Sequence, residues 1–260
     1  MSREQLQQDG LAGPFELADK SQLDEAYDIA LELKALRRQQ NLVAEKTGAA
    51  NVAPNPMLDR HMDVSVIQDR FFDANLQAQV SDHFGNDLFL WRSNFFIKKE
   101  GTGENIWHHD RQFENGSAPI NLFETSNHFS ILMALTDISL DAGVVEYVKG
   151  SHLPIEGFDR DRMPRHVTEL PNAVHNNITP LPLEKGQFVV FHSSLMHRSL
   201  AFGGGNTRIS MIGRLARIGT DMPPDNWYQR AYENQGQTVV PAIGSSNPRV
   251  RPQPGILTFN

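Results

Sequence analysis

The segment Trp107-His108-His109-Asp110, together with His197 further along the chain, carries the residues that are most informative about the fold. In an extended strand, side chains at positions i and i+2 project to the same face, so His108 and Asp110 are predicted to enter one cavity. The third ligand must come from a distant strand that returns beside the first, which a sheet closed into a barrel or sandwich provides. Two imidazoles and one carboxylate can occupy one face of an octahedral iron. We therefore predict a catalytic metal site of His108, Asp110 and His197.

Arg208 follows His197 in the next predicted strand. Its planar fork can bind the distal carboxylate of 2-oxoglutarate through two parallel hydrogen bonds. The run Ala-Phe-Gly-Gly-Gly-Asn at 201–206 has the composition of a turn. We therefore predict a hairpin that places Arg208 on the strand next to His197, with both side chains pointing inward. Ser210 shares the face of Arg208 at i+2 and is predicted to be a second contact to this co-substrate.

The sequence from 88 to 218 resembles the phytanoyl-CoA dioxygenase-like family of Fe(II)/2-oxoglutarate-dependent oxygenases. The resemblance rests on four ordered motifs, which are Trp107-His108-x-Asp110, Gly150-Ser151-His152, Gly186-Gln187-Phe188-Val189-Val190-Phe191-His192, and His197 followed by Arg208. The second family motif usually reads Pro-Gly-Ser-His, and Lys149 stands here in place of the proline.

The resemblance implies a double-stranded β-helix of the jelly-roll or cupin-like type, with Fe(II) as the metal and 2-oxoglutarate and O2 as co-substrates. It implies that His108, Asp110 and His197 bind iron and that Arg208 binds 2-oxoglutarate. Asn94, on the strand before the triad, is a further candidate contact to 2-oxoglutarate. Family members that halogenate have Gly or Ala in place of the triad carboxylate, so Asp110 implies oxygen insertion or another oxidation. The reaction implied is hydroxylation of a C–H bond.

Other residues compete for two of these roles. His192 is an alternative distal metal ligand, although its odd spacing from His197 places it on the opposite face of an ideal strand. The alternatives to Arg208 are Arg198, Arg214 and Arg217. For Arg214 and Arg217, a position as surface charges is the other interpretation. Only Arg208 has the position relative to His197 that the family shows.

Two further residues are candidate substrate contacts. Arg111 is predicted to meet a carboxylate or phosphate of the substrate, and Trp227 to close the pocket with its aromatic surface. The polar, proline-bearing segment 153–180 is a candidate lid, because long loops on compact domains are often functional. The predicted substrate is a small polar metabolite, such as an amino acid or related amine. A cupin-like metal-dependent isomerase or hydrolase, and a non-catalytic metal-binding module of the same fold, are the alternatives.

Composition and net charge exclude several other classes of protein and of metal site. The chain has 260 residues, of which 39% are hydrophobic and 21% charged, as in ordinary globular proteins. A net charge of −7 argues against a general nucleic-acid binder, and the absence of cysteine excludes disulfides and thiolate ligands. We find no apolar signal region at the N-terminus and no run long enough to span a membrane. We therefore expect a cytoplasmic protein with a small-molecule substrate, while its oligomeric state stays open.

The pattern along the chain predicts a single α+β domain over 1–260. We expect a loose N-terminus over 1–20, a mainly helical part over 21–85, a β-core over 88–218 and a C-terminal segment over 219–260. Helical spacing begins at Ser21, residues 41–60 read as a polar loop, and a second helix is expected within 63–84. Strands are predicted at 88–97, 130–138, 143–148, 186–192 and 209–218. The N-terminal helices are predicted to pack on one sheet.

Overall fold

A computed structural model describes residues 3–48, 55–113, 124–159 and 167–217, and the backbone of 258–259. The helices are α1 (Arg3–Asp9), α2 (Leu23–Thr47), α3 (Ser65–Phe71) and α4 (Ala74–Phe84). The strands are β1 (Leu11–Glu16), β2 (Leu88–Lys98), β3 (Asn105–His108), β4 (His128–Ala134), β5 (Val145–Val148), β6 (Ile178–Leu181), β7 (Gln187–His192), β8 (His197–Ser199), β9 (Arg208–Arg217) and β10 (Thr258–Phe259). Short 3₁₀ helices cover Arg60–Met62, Asp110–Phe113 and Asn172–Asn177.

The strands form two antiparallel sheets. The larger has the order β1-β7-β4-β9-β2-β10, and the smaller has the order β3-β8-β5-β6. One cluster of buried residues contains side chains from both sheets, among them Leu132 and Ile212 of the larger and Val145, Tyr147 and Leu181 of the smaller. The sheets therefore face each other across a shared core. The predicted α+β double-stranded β-helix is confirmed.

Alternation along the central strands explains how both faces of the larger sheet are covered. In β4, Phe129, Ile131 and Met133 join the cluster that includes the helices, whereas Leu132 and Ala134 join the cluster between the sheets. Every residue of β4 is buried. Because successive side chains of a strand point to opposite faces, a strand covered on both sides is apolar nearly throughout.

The N-terminal helices cover the outer face of the larger sheet, as predicted. Ala26 of α2, Phe71 of α3 and Leu76 of α4 are fully buried in this layer. Gly213 of β9 makes the close approach of α3 possible, since a Cβ at this position would lie 2.5 Å from Cε1 of Phe71. The glycine therefore provides the space into which the phenyl ring packs.

The first 20 residues were expected to be loose, and this expectation is wrong. They contain α1 and β1, and β1 pairs with β7, with Leu11 opposite Phe191. The carboxylate of Asp73, which caps α4, also accepts the backbone N–H groups of Ala18 and Asp19 at 3.0 and 2.8 Å. The polar composition of this segment does not indicate α1 and β1, because both short elements are held by contacts with residues distant in sequence.

Two further expectations differ from the structure. Helix α2 extends to Thr47, well into the predicted loop 41–60, and ends at Gly48, whose φ of 65° is left-handed. The predicted hairpin between His197 and Arg208 is wrong, because β8 belongs to the smaller sheet and β9 to the larger.

Helices of the described part of the chain include none long and apolar enough to cross a membrane.

Candidate metal centre and adjoining cavities

His108 and His197 face each other from neighbouring strands. They are register partners in the β3–β8 pair, and their ring centroids are 4.4 Å apart. Nδ1 of His108 lies 2.7 Å from the carbonyl oxygen of Ile106, and Nδ1 of His197 lies 2.9 Å from that of Leu195. A carbonyl oxygen can only accept, so each Nδ1 carries the hydrogen. Each ring therefore presents the lone pair of Nε2 to a metal ion.

Asp110 reaches the two imidazoles by a different route from the one predicted. Strand β3 ends at His108, and Asp110 begins a 3₁₀ helix. The backbone N–H groups of Asp110 and Arg111 both donate to the carbonyl oxygen of Ser193, at 2.8 and 3.2 Å. The turn, rather than a shared strand face, directs this carboxylate. One ligand atom from each of His108, Asp110 and His197 lies within 4.8 Å of the other two.

Two side chains hold the Asp110 carboxylate. Ser130 Oγ donates to Oδ2 at 2.7 Å, and Arg214 Nη2 donates to Oδ1 at 2.8 Å. Burial by itself raises the pKa of Asp110. Arg214, both histidines and the Ser130 hydrogen bond outweigh this effect and lower the pKa to about 2. Asp110 is therefore ionised at neutral pH. The alternative that Arg214 is a surface charge is wrong, because only 7% of this residue is exposed.

The protonation states of Asp110 and His108 fit a divalent metal. Burial, and then His197, lower the pKa of His108 to about 4, so its imidazole is neutral at pH 7. The donor set is thus two imidazole nitrogens and one ionised carboxylate that converge from one side. This is the facial arrangement that iron accepts while other coordination positions stay open.

Arg208 lies on β9, buried between the sheets with 2% of its surface exposed. Its Nη1 donates to the carbonyl oxygen of Gly143 and its Nη2 to Ser210 Oγ, both at 3.2 Å. Burial lowers the pKa of Arg208 to about 10, so the guanidinium keeps its charge at pH 7. Among the described residues, no carboxylate forms an ion pair with it. A buried charge without a counterion is costly, so this position favours an anionic ligand.

Lys98 adds a second buried cation next to Arg208. The two residues are register partners in the β2–β9 pair. Lys98 Nζ donates to the carbonyl oxygen of Gly103 at 2.7 Å, and burial and the charge of Arg208 lower its pKa to about 8. Sequence reasoning did not single out Lys98. The alternation of side chains along β2 does not identify Lys98 as a site residue, because its neighbour Arg208 comes from a segment distant in sequence.

A cavity between the sheets joins the triad to Arg208. We call it the Arg208 cavity. Its polar and charged lining includes His108, Asp110, His197, Arg208 and Ser210. The rest is mainly apolar, with Leu11, Phe96, Leu132, Val145, Tyr147, Leu181, Phe191, Leu195 and Ile212. Three ligand side chains and one buried guanidinium therefore meet in one chamber, although the hairpin predicted to unite them does not exist.

A second cavity of about 560 Å³ adjoins the first at Phe96, Asn105, His108 and Ile212. We call it the Arg214 cavity. Its other lining residues are Leu58, Arg92, Asn94, Glu104, Ile106 and Arg214. Asn94 was predicted to contact the same co-substrate as Arg208, but the structure places it in this second cavity.

The competing residues have other partners. His192 Nδ1 donates to the carbonyl oxygen of Thr125 at 3.0 Å, and its ring stacks on His152 with centroids 4.9 Å apart. His192 therefore lies outside the cluster of His108, Asp110 and His197 that could hold a metal ion. Arg198 pairs with Glu146 at 2.7 Å.

Arg217 donates to the carbonyl oxygens of Ser126 and Phe84, at 2.9 and 3.0 Å, and lines neither of the two cavities.

The predicted substrate residues are not brought to the triad by the described structure. Arg111 is buried and forms an ion pair with Glu124, with Nη1 and Oε2 3.3 Å apart. It lines neither the Arg208 nor the Arg214 cavity. Trp227 lies outside the described residues. In the candidate lid, Phe158 and Val174 pack with Trp107 rather than lining either cavity, and residues 160–166 are likewise not described.

The sequence analysis did not place Ser130, Arg92 or Arg214 in the surroundings of the triad. A signal for Arg214 was present, since residues 208, 210, 212 and 214 alternate along one strand and share the face of Arg208. No comparable signal marks Ser130, because its contact with Asp110 depends on how β4 lies relative to the turn after β3.

The family model described as phytanoyl-CoA dioxygenase (PhyH) matches residues 6–210 of the chain. The protein belongs to the phytanoyl-CoA dioxygenase family. The predicted resemblance is therefore confirmed. A search of curated protein sequences gives no significant match.

Solved structures of similar fold include non-haem enzymes. The non-haem monooxygenase ThoJ, in its apo form, is 18% identical with a TM-score of 0.61, over 90% of this chain and 93% of that chain. CytC3 with Fe(II) and alpha-ketoglutarate is 18% identical with a TM-score of 0.62, over 97% and 91%. The alpha-ketoglutarate-dependent epimerase SnoN from nogalamycin biosynthesis is 17% identical with a TM-score of 0.60, over 85% and 83%. At these identities the likeness establishes the fold.

Proposed function

We propose that this phytanoyl-CoA dioxygenase family member is an Fe(II)- and 2-oxoglutarate-dependent dioxygenase that hydroxylates a C–H bond of a small polar metabolite. An amino acid or related amine is the proposed substrate type. One observation carries the proposal: the triad of metal-ligating atoms shares a cavity with a buried arginine that has no carboxylate partner among the described residues. Family membership supports the same chemistry.

Five polar or charged residues of the Arg208 cavity have defined parts in this proposal. Nε2 of His108, Nε2 of His197 and the Asp110 carboxylate would hold Fe(II). Arg208 would bind the distal carboxylate of 2-oxoglutarate through its planar fork, and Ser210, already hydrogen-bonded to that fork, would add a hydroxyl contact. Bound there, Fe(II) would use O2 to convert 2-oxoglutarate to succinate and carbon dioxide and to oxidise the substrate.

The surrounding residues prepare the site before any ligand binds. Ser130 and Arg214 hold both oxygens of Asp110, which fixes the carboxylate in orientation and keeps it ionised. The backbone carbonyls of Ile106 and Leu195 fix the tautomers of the two histidines. The apolar lining excludes water and thereby strengthens the pairing of Arg208 with an anion.

The alternatives lose support on specific grounds. A cupin-like isomerase or hydrolase would use the triad but has no need of a buried cation in the same cavity. Halogenation is disfavoured because Asp110 occupies the coordination position that a halide would take. Among neighbours of the same fold, SnoN is described as an epimerase and SnoK as a carbocyclase, so oxidation without hydroxylation is the second candidate outcome.

The experiment is a measurement of succinate release from 2-oxoglutarate with purified protein, with and without added Fe(II). We expect slow release without substrate that requires both Fe(II) and O2 and that is abolished in His197→Ala. A hydroxylated product from a metabolite library would establish the outcome. Succinate release that is independent of Fe(II), or undiminished in His197→Ala, would contradict the proposal.

A further inference from the structure

Two arginines lie directly opposite each other in the wall of the Arg214 cavity. Arg92 of β2 and Arg214 of β9 are register partners, and both line this cavity. They are 1% and 7% exposed. Like charges directly opposite each other destabilise a strand pair, and burial adds a desolvation cost. This placement therefore requires compensation by negative charge.

Each arginine has a carboxylate partner within the described residues. Nη2 of Arg92 lies 3.5 Å from Oδ2 of Asp59, and Nη2 of Arg214 lies 2.8 Å from Oδ1 of Asp110. The second carboxylate is shared, because Asp110 is also the proposed metal ligand. A divalent ion on the triad adds two positive charges beside Arg214, and Arg208 adds another. Arg92 and Arg214 also line the Arg214 cavity, where the carboxylate of a ligand can contact them.

The Arg214 cavity has the size and position of a substrate chamber. Its volume of about 560 Å³ lies within the range of small-molecule sites. It meets the Arg208 cavity at His108, Phe96 and Ile212, so a molecule inside it lies beside the triad. Glu104 also lines it, and this side chain lies 3.8 Å from Nη1 of Arg198.

We infer that the substrate carries a carboxylate, which Arg214 and Arg92 bind in the Arg214 cavity while the remainder of the molecule extends past Phe96 and Ile212 toward the triad. The planar guanidinium matches a carboxylate in both charge and geometry. The inference rests on the proposed function and specifies its substrate class. It also transfers the anion-binding role from Arg111, which lines neither cavity, to two residues that line a cavity at the triad.

The test uses isosteric pairs of probes that differ in charge: propionate and propionamide, hexanoate and hexanamide, and benzoate and benzamide. Each is titrated by NMR into protein saturated with 2-oxoglutarate and with Zn²⁺, which supports binding but no redox turnover. Because hydrogen bonds between two charged groups are stronger than those to a neutral amide, at least one acid is expected to bind about tenfold more tightly than its amide.

Two arginine variants locate the effect. Arg214→Lys keeps the charge beside Asp110 but removes the planar fork, and with Zn²⁺ and 2-oxoglutarate both held at saturation it is expected to reduce the acid preference roughly tenfold. Arg217→Lys is the matched control, because Arg217 lies on the same strand but outside both cavities. Thermal unfolding of both variants verifies that they fold.

Four outcomes are decisive. An acid preference that falls in Arg214→Lys and persists in Arg217→Lys supports the inference. Equal binding of acids and amides to protein that holds 2-oxoglutarate overturns the inference alone, as does an equal loss in both variants. Failure of the wild type to bind 2-oxoglutarate at all overturns the inference together with the proposed function.

Discussion

Replacement of Arg208 separates its role in ligand binding from its role in folding. Burial lowers its pKa from the ordinary value of arginine to about 10, which corresponds to roughly 3 kcal/mol of unfavourable burial of the charge. An anion bound to the guanidinium would relieve a comparable free energy, in line with the ~2–5 kcal/mol lost when one partner of a buried charge pair is removed. We therefore expect Arg208→Met to weaken 2-oxoglutarate binding by roughly 30-fold to several thousand-fold.

The same substitution has the opposite expected effect on stability without ligands. Within the described residues, Arg208 offsets its burial cost through hydrogen bonds to Gly143 and Ser210 and has no ion pair, so an apolar side chain of similar length is expected to leave the free energy of unfolding unchanged or to raise it. Arg208→Lys keeps the charge but not the fork, and is expected to recover part of the 2-oxoglutarate affinity.

The assay is an anaerobic titration of 2-oxoglutarate into the Fe(II)-loaded protein, followed by its visible charge-transfer absorption. Urea unfolding of the metal-free protein gives the stability. Arg217→Met is the control, and its 2-oxoglutarate affinity should match that of the wild type. The reasoning would be refuted if Arg208→Met kept wild-type affinity for 2-oxoglutarate, which would transfer the role to another cation such as Lys98.

Three further predictions follow from the geometry. His197→Ala is expected to abolish binding of one Fe(II) per chain while His192→Ala retains it, and the reverse result in a metal titration would show that the distal ligand is misassigned. The unfolding free energy of the metal-free protein should fall as the pH drops from 6.5 to 4. Burial lowers the pKa values of four histidines to about 3–4, so the unfolded chain binds more protons in this range; they are His61, His108, His128 and His192. Urea unfolding at pH 7 and pH 5 checks this, and equal stabilities would contradict it. Gly213→Ala should destabilise the fold by about 1–3 kcal/mol, because its Cβ would press on Phe71, whereas Gly103→Ala, with nothing within 4 Å of the added Cβ, should change the unfolding midpoint little.

Much of the site was predictable because it depends on residue chemistry and strand period. The donor types of His108, Asp110 and His197 indicate iron whatever their exact path in space. Arg208 and Ser210 share a face because alternate residues of any strand do. Long apolar or alternating runs also predicted the principal strands, since residues 88–97 and 186–192 form β2 and β7 almost to the residue.

The sequence by itself indicated the candidate ligand set, the shared strand face of Arg208 and Ser210, and the family of this protein, because these follow from side-chain chemistry, local periodicity and ordered motifs. Only the tertiary structure decided that Asp110 approaches through a turn held by Ser193, and that Arg208 faces His197 from the opposite sheet. It also decided that Arg214 binds the Asp110 carboxylate. Such contacts join segments far apart in the chain, and which residues meet depends on the register and packing of two sheets, quantities that local sequence patterns do not specify.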